Sequence, residues 1–423
     1  MTAPLEQPLT TRIGPRLLDL PAAVGLDTHL ARFGPPPTDL GQLIAWVDSA
    51  GLRGRGGARF PTAIKLAAVA RRRRAIVVVN ATEGEPASIK DKALLHQAPH
   101  LVLDGAAAAG TAVGAREIIV AVERSAVATM EAAVAAADER RMAGLERLAV
   151  RVVGTPSRYV AGEETALVHW LNGGEAKPTL VPPRPFERGV SGRPTLVDNV
   201  ETLAHLALIA RFGPQWYRRA GTAEDPGTTL VTVTGAVTHP GVYEVEGGSS
   251  LAAAIQGAGS AMDDLDAVLV GGHFGSWISA TEARQLTLGA GSLGSAGAAL
   301  GCGALVALPR GACGVAETAR ITRWMADQNA GQCGPCVHGL PAMAEQLTVM
   351  AHGGRAVDHA RNELLGLLPE IEGRGACRHP DGVVRLVRSA LRVFATEIAE
   401  HHHRGPCAPS GPWLPTPSIG GWR

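Results

Sequence analysis

The chain has 423 residues, 46% of them apolar and 19% charged, with a formal net charge of +1. That length allows two to four domains, and the composition is that of a core-forming globular protein. The near-zero charge argues against bulk nucleic-acid binding. The lack of any long uninterrupted apolar run argues against a membrane helix, and the start of the chain has no signal-peptide core, so a cytoplasmic location is expected.

Residues 1–40 are Pro-rich and read as an irregular segment wrapping the domain that follows. From 41 to 225 the pattern is α/β. Residues 39–51 (DLGQLIAWVDSAG) are amphipathic and stop at Gly51, a C-cap glycine. Residues 61–74 read as a helix with Pro61 in its first turn and the run Arg71–Arg74 at a solvated, dipole-favoured C-terminus. AIVVVN (75–80) and EIIVAVE (117–123) are continuous apolar runs, as strands buried on both faces are, and LAVRVVG (148–154) is a third strand. The small-residue stretch 100–115 and residues 125–141 are the intervening helices. This β-α-β order predicts a mostly parallel sheet with right-handed crossovers.

GTAEDPGT (221–228) reads as a linker, and 226–312 as a separate α+β module with strands near 229–246, 267–272 and 303–309. Residues 313–403 turn helical and predict a small bundle. Residues 404–423 read as a loose tail. The run His401–His403 fits a helix terminus better than a metal site. Within the helical part, Cys333 and Cys336 flank Gly334-Pro335. In a reducing compartment such a pair points to metal or redox work rather than to a disulfide.

Two kinds of segment in the α/β part suggest a ligand. GLRGRGGARF (51–60) precedes a helix. Gly54, Gly56 and Gly57 allow close backbone approach, the amides of such a loop attract phosphate, and Arg53, Arg55 and Lys65 add charge. The spacing is not that of a Rossmann fingerprint, and a tight turn is the alternative. Three acidic segments follow apolar strands or share their pattern: Asn80, Glu83 and Glu85; Gly162, Glu163 and Glu164; Asp198, Asn199, Glu201 and Thr202. Each alone is also a helix-capping signature. Together they predict one pocket at the carboxyl edge of the sheet.

The ordered series GLRGRGGARFPT, VNATEGEPASIKDK, GEETAL and PPRPFERGVSGRPTLVDNVETLA resembles the NADH-binding, FMN-containing flavoprotein subunit of respiratory complex I. It also resembles the related diaphorase subunits of NAD-linked hydrogenases and formate dehydrogenases. The likeness runs from about residue 40 to 400. It implies an α/β flavin domain, a β-grasp module of the soluble-ligand-binding (SLBB) type at 226–312, and a helical iron–sulfur domain. It implies an oxidoreductase in which electrons pass from NADH or NADPH through FMN to an iron–sulfur cluster, and then to a ferredoxin-like or [2Fe–2S] partner protein. It also allows attachment at the periphery of a membrane complex without insertion. By match, Gly54, Gly56, Gly57 and Lys65 hold the FMN phosphate side. Asn80 and Glu83 line the flavin, and Gly162, Glu163, Asn199 and Thr202 contact its ring, ribityl chain or phosphate. Phe60, Glu85 and Glu164 face the dinucleotide, with Glu85 and Glu164 in the catalytic role.

The sequence departs from that family where the dinucleotide would sit. Arg59 precedes Phe60, Thr82 stands for an acidic neighbour of the flavin, Ala161 stands for a cysteine, Val181 and Arg184 stand for a lysine and a stacking phenylalanine, and Ala67 and Ala68 stand where another aromatic is expected. An aromatic face on a base is worth roughly 1–3 kcal/mol. The changes therefore open two alternatives: another donor, such as NADPH or a ferredoxin, or a non-catalytic scaffold. The cluster motif departs too. Matching Cys333 and Cys336 to the second and third thiolates and Cys377 to the fourth leaves Ala330 at the first. A [4Fe–4S] cluster ordinarily takes four cysteines. The outcomes are a cubane completed by Asp327, Asn329, Cys313, Cys407 or water, a [3Fe–4S] cluster, or cysteines that merely pack. Cys302 is expected in an apolar strand.

Overall fold

The computed structural model describes residues 16–18, 25–72, 74–407 and 411–423. Most of the stretch expected to be irregular, together with Arg73 and residues 408–410 of the tail, lies outside them.

The first module contains α1 (Leu26–Phe33), α2 (Leu43–Ala50), α3 (Thr62–Ala70), β1 (Ala75–Ala81), α4 (Lys90–Gln97), α5 (Pro99–Ala112), β2 (Ala115–Glu123), α6 (Val127–Met142), β3 (Ala149–Thr155), α7 (Glu164–Leu171), β4 (Thr195–Asn199) and α8 (Val200–Tyr217). The strands form a parallel sheet in the order β3-β2-β1-β4. The apolar residues of β1 are buried on both faces, as a parallel sheet covered by helices requires. The small residues of α5 have a steric cause: a Cβ at Gly105 would lie 1.8 Å from the Leu203 carbonyl oxygen of α8. Helix α1 corrects the expectation of an irregular segment up to residue 40. Its eight residues are too few for a period to show, and the contact that fixes it is long-range. His29 Nε2 lies 2.7 Å from Asp104 Oδ2 on α5. Burial would raise the Asp104 pKa, but the His29 hydrogen bond and the guanidinium groups of Arg140 and Arg211 hold it down at about 2.

The second module contains β5 (Thr228–Gly235), β6 (Gly241–Glu246), α9 (Leu251–Gly257), β7 (Leu265–Val270), β8 (Ser276–Ser279), α10 (Ala280–Ala283), α11 (Ala290–Ser295) and β9 (Ala304–Pro309). Its sheet runs β6-β5-β9-β7-β8, with β5 and β9 parallel and the other pairs antiparallel. The expected linker at 221–228 is ordered. Gly221 bridges to Pro226, and the Asp225 carboxylate receives Arg59 and the Ala290 amide at 3.0 Å. Cys302 lies in the turn before β9, not in a strand, with its thiol on the Gly271 carbonyl.

The third module is a bundle of α12 (Gly314–Asp327), α13 (Leu340–His352), α14 (Val357–Ile371), α15 (His379–Val393) and α16 (Ala395–Arg404) around one apolar core. Residues 411–423 after it are not loose. Leu414 is buried in that core, Arg320 donates to the Leu414 carbonyl at 2.6 Å, Trp324 donates to the Pro417 carbonyl at 2.8 Å, and Arg158 of the first module stacks on Trp422 at 3.9 Å. A proline- and glycine-rich segment carries no period, so this packing has no local signature. Among the described residues, no helix is long and apolar enough to cross a membrane.

Candidate functional site

The carboxyl edge of the parallel sheet gathers the three acidic segments and the glycine loop. Strands β1 and β4 are adjacent, and Asn80 pairs in register with Asn199. The segment after β3 crosses toward the same edge, with the Asn80 side-chain amide donating to the Gly162 carbonyl at 2.8 Å. A Cβ at Gly162 would meet the Thr82 carbonyl oxygen at 2.4 Å, and one at Gly84 would meet the Tyr159 carbonyl oxygen at the same distance. These two strand ends touch backbone to backbone, which only glycine permits. The loop 51–60 closes the other side. The Arg55 amide donates to Thr202 Oγ1 at 2.9 Å, and the Cβ position of exposed Gly56 lies 3.5 Å from Asn199 Cβ.

Several side chains here cap helices, and the cap and the crevice are one structure. Glu163 caps α7, accepting the amides of Thr165 and Ala166, both at 3.0 Å. Asn199 caps α8 through the Glu201 amide. Glu83 accepts the Ser88 hydroxyl and the amides of Asp91 and Lys92 at the start of α4. Glu164, one residue into α7, stays a third exposed and faces Lys65 at 3.8 Å. Lys65 donates to the Val197 carbonyl and lies 4.0 Å from Asp198. Asp198 is buried, and its Oδ2 has no hydrogen-bond partner; burial raises its pKa. Phe60 is 52% exposed at the rim.

Two expected roles are corrected. Glu85 does not face open space. Its Oε1 accepts the Ala87 amide at 3.0 Å, its Oε2 accepts the Tyr159 hydroxyl and the His273 amide, each at 2.8 Å, and His273 Nδ1 lies 2.6 Å from Oε1. Burial would raise its pKa, but His273 and the two amides hold it below the usual range. Glu85 therefore joins the first module to the second. The Arg55 guanidinium likewise turns inward, donating to Tyr217 OH at 3.1 Å and to the Thr228 carbonyl at 3.0 Å. Of the Arg55 groups named here, only the backbone amide serves the loop. Arg59 is committed to Asp225, whereas Arg184 is exposed. Thr82 pairs with Thr155 at 3.0 Å inside the protein, where a hydroxyl fits and an unpaired carboxylate would not.

Sequence reasoning missed the floor of the site. Lys90, 2% exposed, lies 2.7 Å from Asp91, 2.9 Å from Glu201 and 3.5 Å from the side-chain Oδ1 of Asn199. Burial alone would lower its pKa, but Asp91, Glu201 and Glu83 raise it. Asp91 accepts the Asn199 side-chain amide at 2.5 Å. The K-D dipeptide was legible, but its burial was not.

The thiolate loop docks onto the same segment. Arg158 donates to the carbonyls of Asp327 and Asn329, and the Tyr159 amide donates to Gln328 Oε1 at 3.1 Å. The Tyr159 ring packs edge-on against Phe274, Trp324 and His379. Cys333, Cys336 and Cys377 are half-buried to buried. Burial raises the pKa of Cys336, as do the charges of the other two cysteines. Burial also raises that of Cys377, with further contributions from the nearby charges of Glu163 and Cys333. Cys313 is excluded as a fourth ligand. It caps the N-terminus of α12, whose 14 residues separate it from the thiolate loop by about 20 Å, and Cys407 lies beside it. Asn329 accepts the Gly331 amide on its side-chain Oδ1 at 2.8 Å.

The donor sets fit an FMN and a cluster of three thiolates. The crevice offers loop amides, lysine and an orphaned buried carboxylate oxygen; the loop before α13 offers Cys333 and Cys336, and the turn before α15 offers Cys377. A cavity of about 310 Å³, lined by Thr165, His169, Thr179, Leu180 and Arg188, opens beside α7.

Residues 47–208 match the Nuo51 FMN-binding domain, residues 230–272 the SLBB domain, and residues 316–401 the NADH-ubiquinone oxidoreductase-F iron-sulfur binding region. The chain is 32% identical over 381 residues to the second F-type subunit of the NADH-quinone oxidoreductase of Rhizobium meliloti, covering 86% of this chain and 90% of the relative. It is 32% identical over 398 residues to the F-type subunit of the NADH-quinone oxidoreductase of Mycobacterium tuberculosis, covering 88% and 86%. A solved structure, the NAD+-reducing [NiFe]-hydrogenase in its H2-reduced state, superposes with a TM-score of 0.81 at 29% identity, covering 94% of this chain and 68% of that one. The chain belongs to the family of F-type subunits of NADH-quinone oxidoreductase, as a divergent member.

Proposed function

We propose that this chain is the NADH-oxidising, FMN- and iron–sulfur-bearing subunit of a larger electron-transfer assembly. The single observation that carries the reading is the clamp of Arg158 and Tyr159 on residues 327–329, which brings the thiolate loop against the segment that closes the crevice. When bound, FMN accepts a hydride and releases electrons singly, and the cluster accepts them one at a time. The chain's own residues position and insulate. The amides of the 54–57 loop and Lys65 would hold the phosphate end, Asn80, Gly162 and Glu163 would line the ring, and Asn199 and Thr202 would support the loop that grips it. Glu164 and Phe60 are the groups left to meet the nicotinamide dinucleotide, since Glu85 is engaged. Cys333, Cys336 and Cys377 would hold the cluster, with a non-thiolate or open fourth corner.

The partner is a further iron–sulfur protein. A groove of about 560 Å³ begins at Arg378, next to Cys377, and carries Arg385, Arg388 and Arg392. Its arginines are only partly offset by Asp381, Glu372 and Glu282. That charge suits an acidic redox partner.

NADH is the expected donor, as the names of the F-type relatives suggest, and Arg59, one of the two added arginines, is already paired with Asp225. Anaerobic stopped-flow absorbance of the FMN-loaded chain should show flavin bleaching by NADH at least about tenfold faster than by NADPH. Equal or faster bleaching by NADPH would overturn the donor assignment. Bound FMN that neither nucleotide reduces would favour a different donor, the second reading that the lost aromatic faces at Ala68 and Arg184 leave open.

A further inference from the structure

At the far end of α12 from the thiolate loop, four metal-ligating side chains from three separate stretches of chain converge. Cys313 Sγ, a carboxylate oxygen of Glu397, an imidazole nitrogen of His401 and Cys407 Sγ all lie within 4.8 Å of one another. Individual separations are 3.0 Å from Cys313 Sγ to Glu397 Oε1, 3.7 Å from Cys313 Sγ to His401 Nε2, and 3.0 Å from His401 Nε2 to Cys407 Sγ. Cys313 and His401 are buried, and Glu397 and Cys407 are half-buried. This is the one group of three or more such donors at that spacing among the described residues.

The surroundings orient the donors inward. His401 Nδ1 lies 2.9 Å from the Met350 carbonyl, so Nδ1 carries the proton and donates it there. The Nε2 lone pair is left facing the two sulfurs, where it accepts the Cys407 amide at 3.3 Å. A carbonyl that fixes the tautomer of a histidine is the usual outer support of a metal-bound imidazole. Glu397 is held by the amides of Gly314 and Val315, at 3.1 and 2.9 Å, and Cys313 Sγ accepts the Ala316 amide at 3.2 Å. Glu397 and Cys313 thus both sit at the positive end of α12. Two sulfurs, one imidazole nitrogen and one carboxylate oxygen form a four-donor set for a tetrahedral, thiophilic divalent ion. Of the run His401–His403, only His401 joins it; His402 turns to Asp358 at 3.4 Å.

We propose that Cys313, Glu397, His401 and Cys407 form a structural site for a divalent d-block cation, zinc in the first place, separate from the iron–sulfur loop. The ion would tie the chain just beyond α16 to the start of α12. The tail from there runs along α12, through Leu414 and Pro417, to Trp422 on the flavin module. Binding would displace the two thiol protons, so apparent affinity rises with pH.

The test uses the full chain with its flavin. After passage through a chelator, the wild-type chain should retain about one zinc per chain. Cys407→Ser and Cys313→Ser should each lower that content about tenfold or more, with flavin and iron contents unchanged as the measure of correct folding. Cobalt(II) titration of zinc-free wild type gives a second reading that needs no single variant. A thiolate-to-cobalt charge-transfer band should saturate near one equivalent and be absent from the Cys313→Ser/Cys407→Ser chain. Equal zinc in wild type and variants, or a cobalt band that the double substitution leaves unchanged, would overturn the site. So would recovery of Cys313 and Cys407 as a disulfide in chain that holds no zinc.

Discussion

Ala330→Cys is expected to raise the iron content of the reconstituted chain by about one atom and to convert its EPR behaviour from that of a cluster with a labile corner to that of a four-iron cluster. The wild-type chain offers three thiolates, and the structure removes the two remaining cysteine candidates. Cys313 and Cys407 stand at the other end of α12, where they serve each other. Asn329 is occupied by its own turn, which leaves exposed Asp327 or water. A weak ligand at one corner makes that iron the first to leave on oxidation. The oxidised wild-type chain should therefore show the signal of a three-iron cluster, and Ala330→Cys should abolish it. Iron and sulfide analysis alongside EPR checks both statements. An identical iron content and spectrum in the two chains would mean that position 330 does not border the cluster.

Lys90→Met is expected to cost about 3–5 kcal/mol, because it leaves Asp91 buried without its cation and Glu201 with only the Arg55 guanidinium at 3.8 Å. In a module of this size that corresponds to a drop of roughly 10 °C in Tm by calorimetry. The flavin should be lost with it. Lys90 also touches Asn199, and Asp91 holds the Asn199 amide at the floor of the crevice. The effect reaches the second module as well, since Glu201 accepts the Leu230 amide at 2.9 Å and the Thr229 hydroxyl at 3.0 Å. Adding Glu201→Gln to Lys90→Met keeps an acceptor for Leu230 and removes one orphaned charge, so it should recover part of the loss. A Lys90→Met chain that melts within about 2 °C of wild type and still binds FMN would contradict this view of the floor.

What could be read from the sequence follows the range of the interaction. The apolar runs 75–80 and 117–123 announced a covered parallel sheet, and the acidic segments do converge at its carboxyl edge. Both signals are local, set by pleat and period. The capping pattern at Glu163 and Asn199 was legible as well, but it could not say whether the residue caps or binds. The structure shows a cap whose helix starts at the crevice. Glu85 could not be read correctly, because its partners Tyr159 and His273 lie 74 and 188 residues away. The packed tail, α1 and the cluster of Cys313 with His401 share that cause, as contacts across long separations between segments with no period of their own. The inward turn of Arg55 is a rotamer choice made by Tyr217 and Thr228, and no spacing rule contains it.

The central claim is that one crevice would hold FMN next to the cysteine loop, and that a cluster held by Cys333, Cys336 and Cys377 would lie close enough to take, one at a time, the two electrons of a hydride delivered to the flavin, the proton going to solvent. Anaerobic addition of NADH to the chain loaded with FMN and cluster, with absorbance and EPR read from one sample, tests it most directly. The predicted result is bleaching of the flavin together with a reduced-cluster signal, the signal alone being lost in Cys336→Ala. Flavin bleaching with a cluster that stays oxidised, or a chain that takes up no FMN at all, would contradict the account.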